Sequence, residues 1–235
     1  MTTIVSIFAI IAAISTVIYT FITVKTLKEI KRQRETTYLP NVILGESSYT
    51  MKIDENLKHT SIQFEDTTSK TKTKDCFLNI YNIGLASAKN LNFLFEINDD
   101  KFIELIKKNV SEVEIAELGN GFLSIKHKEF NGGHNLAAQK NKSKDFLIPI
   151  NIENKPYKLE LPSYLMTILY LLVYNLEDNY ELISNLPHFD LKIKYEDLSN
   201  KQHFINYQLK LNIFSMTQTD VIFEILKIKT TTNNV

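Results

Sequence analysis

Apolar residues fall along this chain in three patterns. The first is unbroken: Ile4–Val24, IVSIFAIIAAISTVIYTFITV, is twenty-one residues without a charge, proline or glycine. At about 1.5 Å per residue a helix of this length runs about 31 Å, close to the ~30 Å hydrocarbon thickness of a bilayer, so residues 1–24 are expected to form a transmembrane anchor. The second pattern has a period of two. It begins once Tyr38-Leu39-Pro40 has ended the helix, because the residue before a proline is pushed out of the α region. Val42 and Leu44, Ile62 and Phe64, Leu78 and Ile80, and the run Leu91, Phe93, Phe95 and Ile97 alternate as half-buried strands do. The clearest alternation comes late: Leu191, Ile193 and Tyr195 interleave with Lys192, Lys194 and Glu196, and Ile205, Tyr207, Leu209 and Leu211 interleave with Asn206, Gln208 and Lys210. With Asp197–Gln202 between them, these two runs predict a long antiparallel hairpin with one wet face and one dry. Val221–Ile228 reads as a final strand or a short helix, and residues 230–235 as a flexible tail.

The third pattern is helical and interrupts the strands. Asp99 and Asp100 are placed to cap a short helix over Lys101–Asn109, with Phe102, Leu105 and Ile106 on one face. Leu161–Leu176 is uncharged, but Pro162, Ser163, Thr167 and Asn175 leave its apolar core too short to cross a bilayer. Crossing would also split the strands into two half-sheets with exposed edges, so a buried helix over the sheet is expected. Phe122–Lys128 and Phe146–Ile152 read as strands separated by a polar loop around Asn131-Gly132-Gly133-His134-Asn135. Asn82 to Asn90 reads as a turn in which Gly84 supplies backbone angles that other residues resist. The expected architecture is an N-terminal membrane helix followed by a mainly-β, antiparallel, immunoglobulin-like β-sandwich over 38–229, with inserted helices at about 99–110 and 162–176.

Charge adds orientation. Lys25, Lys28, Lys31, Arg32 and Arg34 follow the apolar run, opposed nearby only by Glu29 and Glu35, and no basic side chain precedes it. Basic residues beside a span are retained on the cytoplasmic side, which places the N-terminus outside and the body inside the cell. A cleavable signal peptide would need a basic n-region and a small-residue site after a shorter core, and neither is present. Residues 25–37 then form a basic juxtamembrane helix suited to anionic lipid headgroups, at about 1 kcal/mol per basic residue near the surface. Ala9 and Ala13 make a small-xxx-small pair that permits a homo-oligomer through the span. The chain carries 27 basic and 27 acidic residues, so it lacks the positive field of a duplex nucleic-acid binder. Its single cysteine, Cys76, excludes an internal disulfide, fits a reducing cytosol and reads as a buried apolar thiol.

A search for chemistry finds little. His59, His127, His134, His188 and His203 are dispersed, without a His-x-x-x-His pair or a cysteine partner for zinc. No nucleophile elbow, P-loop or dinucleotide fingerprint occurs, and no Walker lysine follows the Gly-Gly-His. Glu112, Glu114 and Glu117 are spaced as a solvated face. No catalytic residue, metal or cofactor is expected. The residues that stand out are structural: Asn82 and Gly84 in one turn, Asp197 and Asn200 in another, where such side chains bond their own backbone.

The N-terminal anchor, the basic collar, Leu39-Pro40-Asn41-Val42, Asn82-x-Gly84 with Ala86, Ala88 and Asn90, and Lys194-Tyr195-x-Asp197 together resemble uncharacterised bacterial single-pass membrane proteins with a cytosolic immunoglobulin-like β-sandwich. The Asn-x-Gly turn is also similar to that of adhesion-type bacterial sandwich modules. The resemblance implies a fold and a location and carries over no catalytic residue. Two functions follow as expectations. The first is a non-enzymatic binding or scaffold protein that presents the sandwich to a protein partner at the membrane. The second is a membrane effector of a toxin-like or defence system, whose span oligomerises and perturbs the bilayer when the cytosolic domain is triggered.

Overall fold

In a computed structural model of the chain, residues 2–52, 62–119, 121–127, 130–174, 186–217 and 220–234 are described, and among these the side chains of 2–12, 34–37, 130, 233 and 234 are not. The chain divides into two compact units, Met1–Leu39 and Pro40–Val235.

The first unit is one helix, α1 (Thr2–Thr37). From Ala13 to Gln33 its side chains are exposed, among them Val17, Tyr19 and Phe21 at 69–73%. Its hydroxyls turn back on the helix: Thr20, Thr23 and Thr26 each donate to the carbonyl four residues earlier at 2.8–2.9 Å, so each is satisfied within its own helix. Among the described residues no helix is long and apolar enough to cross a membrane. The expected span, Ile4–Val24, falls partly outside the described side chains.

The second unit is mainly β. Its elements are β1 (Val42–Leu44), β2 (Ser48–Lys52), β3 (Phe64–Asp66), β4 (Lys72–Thr73), β5 (Phe77–Asn82) and β6 (Ala88–Glu96). Helix α2 (Asp99–Asn109) follows, then β7 (Val113–Glu117), β8 (Phe122–His127), β9 (Phe130–Asn135), α3 (Leu136–Lys140) and β10 (Asn141–Leu147). The chain continues with α4 (Ile150–Glu153), β11 (Tyr157–Glu160), α5 (Ser163–Tyr174), β12 (Phe189–Glu196), β13 (Gln202–Met216) and β14 (Asp220–Asn234).

These strands make three antiparallel sheets: eight strands in the order β10-β6-β12-β13-β14-β2-β3-β4, three in the order β1-β5-β11, and three in the order β7-β8-β9. The arrangement is consistent with a β-sandwich. Period-two burial drives it: Leu91, Phe93 and Phe95 of β6, Leu191 and Ile193 of β12, and Leu209 and Leu211 of β13 are all at most 1% exposed, and they share one core with Val42, Leu78, Ile80 and Leu159 of the smaller sheet. Two tyrosines stitch the layers. The Tyr49 hydroxyl of β2 donates to the Phe77 carbonyl and accepts from the Phe77 N–H, both at 2.8 Å. Tyr207 of β13 accepts from the Leu44 N–H at 3.2 Å. Burial, with these bonds partly opposing it, holds both phenols above their usual range.

The long hairpin forms as expected, with Leu191 opposite Tyr207 and Ile193 opposite Ile205. Both inserted helices form too. Tyr164 to Val173 of α5 are buried without a gap, as a helix that is apolar all round requires. Phe102 and Ile106 of α2 are buried, while its cap is Asn98, whose side chain accepts from the Lys101 N–H at 3.2 Å, rather than either aspartate. The carboxylate of Asp99 is taken instead by the Tyr164 hydroxyl at 2.7 Å and by the Lys140 ammonium.

Four local expectations are corrected. The polar stretch 131–135 is strand β9, with Gly132 opposite Ile125 and Gly133 opposite Ser124; its partner supplies the buried Leu123 and Ile125 that it lacks. The Phe146–Ile152 strand ends at Leu147, because Pro149 cannot extend the ladder and starts α4. The tail is not loose: Thr230, Thr231 and Thr232 pair with Tyr207, Asn206 and Ile205 in β14, where β13 offers a free edge and threonine suits a strand. Gly84 does not take a positive φ; in its segment Asn90 does, at 52°, beside the bulge where β6 meets β12. That segment also passes from the smaller sheet to the larger rather than closing a hairpin.

Candidate functional site

The turn residues picked out from the sequence gather at one end of the second unit. Asn82 is 1% exposed and fully bonded there: Nδ2 donates to the Ala86 carbonyl at 2.7 Å and the Leu147 carbonyl at 3.0 Å, and Oδ1 accepts from the N–H groups of Asn41 at 3.0 Å and Gly84 at 3.1 Å. One amide thus joins the start of the domain, the turn and the end of β10. Gly84 contributes only its N–H. Asp197 and Asn200 build the neighbouring turn between β12 and β13. Asp197 is 3% exposed, and its Oδ1 accepts from the N–H groups of Ser199 at 2.8 Å and Lys201 at 3.0 Å, while Oδ2 lies 3.1 Å from His203 Nε2. Burial opposes its charge, but His203 and the two N–H groups outweigh burial and hold its carboxyl below the usual range. Asn200, at φ 65°, accepts from Lys89 and so ties this turn to β6. These are braces, with every polar atom of Asn82 spent on backbone.

The basic collar lies in the other unit. Lys25, Lys28, Lys31 and Arg32 are exposed on α1, and the Arg34 side chain is outside the described residues, as is His59.

Among the described residues no three of His, Cys, Asp and Glu come together in a way that could hold a metal. Cys76 is buried, and burial pushes its thiol far up, away from nucleophilic use. His134 of β9 is 8% exposed, with Nδ1 3.2 Å from Ser163 Oγ and Nε2 without a partner. Burial lowers its pKa, so the ring is neutral at neutral pH.

Among the described residues a concavity lies elsewhere, on the outer face of the eight-stranded sheet, with a volume of about 830 Å³. Cross-strand register builds it from two rows. One runs Asn141–Leu94–Lys192–Asn206–Thr231 across β10, β6, β12, β13 and β14. The next runs Ser143–Asn92–Lys194–Phe204. Directly opposed residues share a face of the sheet, so these side chains stand side by side. Lys192 pairs with Glu96 at 2.6 Å, the Lys194 ammonium sits 5.5 Å from the centroid of the Phe204 ring, and Asn206 Oδ1 is enclosed without a hydrogen-bond partner. The arrangement offers an aromatic surface, three amides, two hydroxyls and cations on a rigid support. Sequence reading passed over it because these are the outward positions of the strands. The signal was there in Leu94 and Phe204, two apolar residues out of phase with the dry face.

Comparison with protein-family models, with curated proteins and with solved structures finds no match.

Proposed function

We propose that this chain is a membrane-anchored, non-enzymatic binding protein of the bacterial single-pass type, whose immunoglobulin-like sandwich holds a partner in the groove across β10, β6, β12, β13 and β14. The observation that carries the reading is that groove. A well-formed concavity of this volume, with a few polar groups converging on an apolar floor, is the usual form of a binding site. The anchor in this reading is Ile4–Val24, with the N-terminus outside, the domain cytoplasmic, and Lys25, Lys28, Lys31, Arg32 and Arg34 at the inner lipid surface. The uncharged run and the threonine hydroxyls folded back on their own helix support it.

Cell fractionation tests the anchor: the full-length chain should stay with membranes until detergent is added, and its recovery in solution without detergent overturns the reading. For the groove, the doubly substituted chain Lys194→Ala/Asn206→Ala should fold and remain with membranes yet lose its captured partner. Depolarisation of cells by residues 1–37 alone would replace this reading with the membrane-effector one.

A further inference from the structure

Resting on the groove as the binding site, we propose that its ligand is a nucleotide, a nucleobase-bearing small molecule with at least one phosphate. Four features lead there. The first is place. The floor of the groove lies over β6, β12 and β13, which are paired on both sides, so an occupant seated there meets side chains and not a row of free backbone groups. Its occupant is held by side chains and fits a volume of about 830 Å³, that of a small-molecule site.

The second feature is charge. Lys192 and Lys194 stand in the two rows of the groove and no carboxylate lines it, whereas Lys142 lies opposite the buried Phe93 and pairs with Glu160 of the smaller sheet at 3.6 Å. Lys192 has a carboxylate partner outside the lining, Glu96 at 2.6 Å, in a pair that is part-exposed and weak. Lys194 rests over the Phe204 ring. A phosphate in the groove would draw both ammonium groups into charge-assisted hydrogen bonds, stronger than the contacts they leave.

The third is the ring itself. When the Lys194 ammonium turns to a phosphate, the face of Phe204 is left open, and a nucleobase stacks on such a face whatever its identity. The last is the amide set. Asn92, Asn141 and Asn206 each carry a donor and an acceptor, the complement of a base edge. Asn206 is the most telling, because its Oδ1 has no partner. A half turn of that amide exchanges oxygen and nitrogen without breaking a bond to the oxygen, so the same side chain can meet a donor or an acceptor on the ligand. A neutral saccharide would leave the lysines unused, and an acidic peptide would leave the ring and the amides unused.

Full-length protein in detergent micelles, titrated calorimetrically, tests this with AMP, GMP, CMP and UMP, with inorganic phosphate and adenosine as fragments, and with an octa-aspartate peptide and cellobiose as rival classes. At least one nucleotide should saturate a single site, at least about tenfold more tightly than either fragment, and weaken as salt is raised. Lys194→Glu should weaken it about tenfold and Asn206→Ala about fivefold, whereas Lys107→Glu, on the exposed side of α2, should leave it unchanged. Lys194→Gln stands in if the reversed charge disturbs folding. Nucleotide binding indifferent to Lys194→Gln and Asn206→Ala overturns the proposal. Binding of the peptide or of cellobiose in place of nucleotides, sensitive to Asn206→Ala, overturns the ligand class and keeps the groove. No binding in any arm overturns both.

Discussion

The two faces of the eight-stranded sheet are made from the same strands and answer to different demands. Inward, Phe93, Phe95, Leu191, Ile193 and Leu209 are at most 1% exposed, and rings meet rings, Phe93 stacked on Tyr157 at 5.5 Å and Phe95 tilted on Phe189 at 6.4 Å. Outward, one residue along each strand, stand Asn92, Leu94, Lys192, Lys194, Phe204 and Asn206. The inner face is fixed by the exclusion of water, where size and fit decide and chemistry is nearly uniform. The outer face owes the fold little, so its mixture of amides, cations and an aromatic ring is free to serve a ligand. Residues one position apart therefore separate the positions that stability needs from those the proposed site would use.

Substitutions sharpen that contrast. Phe95→Ala on the inner face should cost about 3–5 kcal/mol of unfolding free energy in urea, as lost burial and a cavity add. A smaller loss would mean that the core collapses around the gap. Asn82→Ala removes no large apolar group but leaves two N–H groups and two carbonyls without their partner, and should cost about 2–3 kcal/mol by the same measurement. Next comes a pH effect. His134 is buried with its pKa lowered, so the unfolded chain takes up that proton first. Its contribution to stability is complete above about pH 6.5 and falls as the solution is acidified below that. The urea midpoint should drop between about pH 7.5 and 5.5, and His134→Phe should flatten that part of the profile; a slope unchanged by the substitution would assign it to another group. The carboxyl of Asp197, held low, adds a separate loss only below about pH 4. The smallest effect belongs to the outer face, where Lys194→Ala should shift stability by no more than about 0.5 kcal/mol. A large loss there would break the comparison.

What could be read from residues alone follows the same division. The hairpin of β12 and β13 was legible because all of β12 and the first eleven residues of β13 alternate, which leaves one register that buries Leu191, Ile193, Ile205, Tyr207 and Leu209 on one face. Helix α5 was legible because an uncharged run too short for a bilayer still needs a core. Strand β9 was not, since Asn131 to Asn135 offers no apolar period and is held by its ladder to β8. The tail was misread for a related reason: Thr230 to Thr232 look solvated, and they are exposed, yet the opposite edge of β13 orders their backbone. In the candidate site, register decided. Asn141, Leu94, Lys192, Asn206 and Thr231 come from five strands spread between residues 94 and 231, and only the pairing of those strands shows them in a line.

The two borders of the large sheet differ from its middle in a way that bears on self-association. At one border β4 is two residues long, and at the other β10 reads Asn141-Lys142-Ser143-Lys144-Asp145, with charges spaced along it. Open borders invite a second molecule to dock its own strand and seed fibres. Here an incoming strand would find either too little backbone to grip or ions that must first shed their water. Copies held at high density should therefore stay separate along these borders.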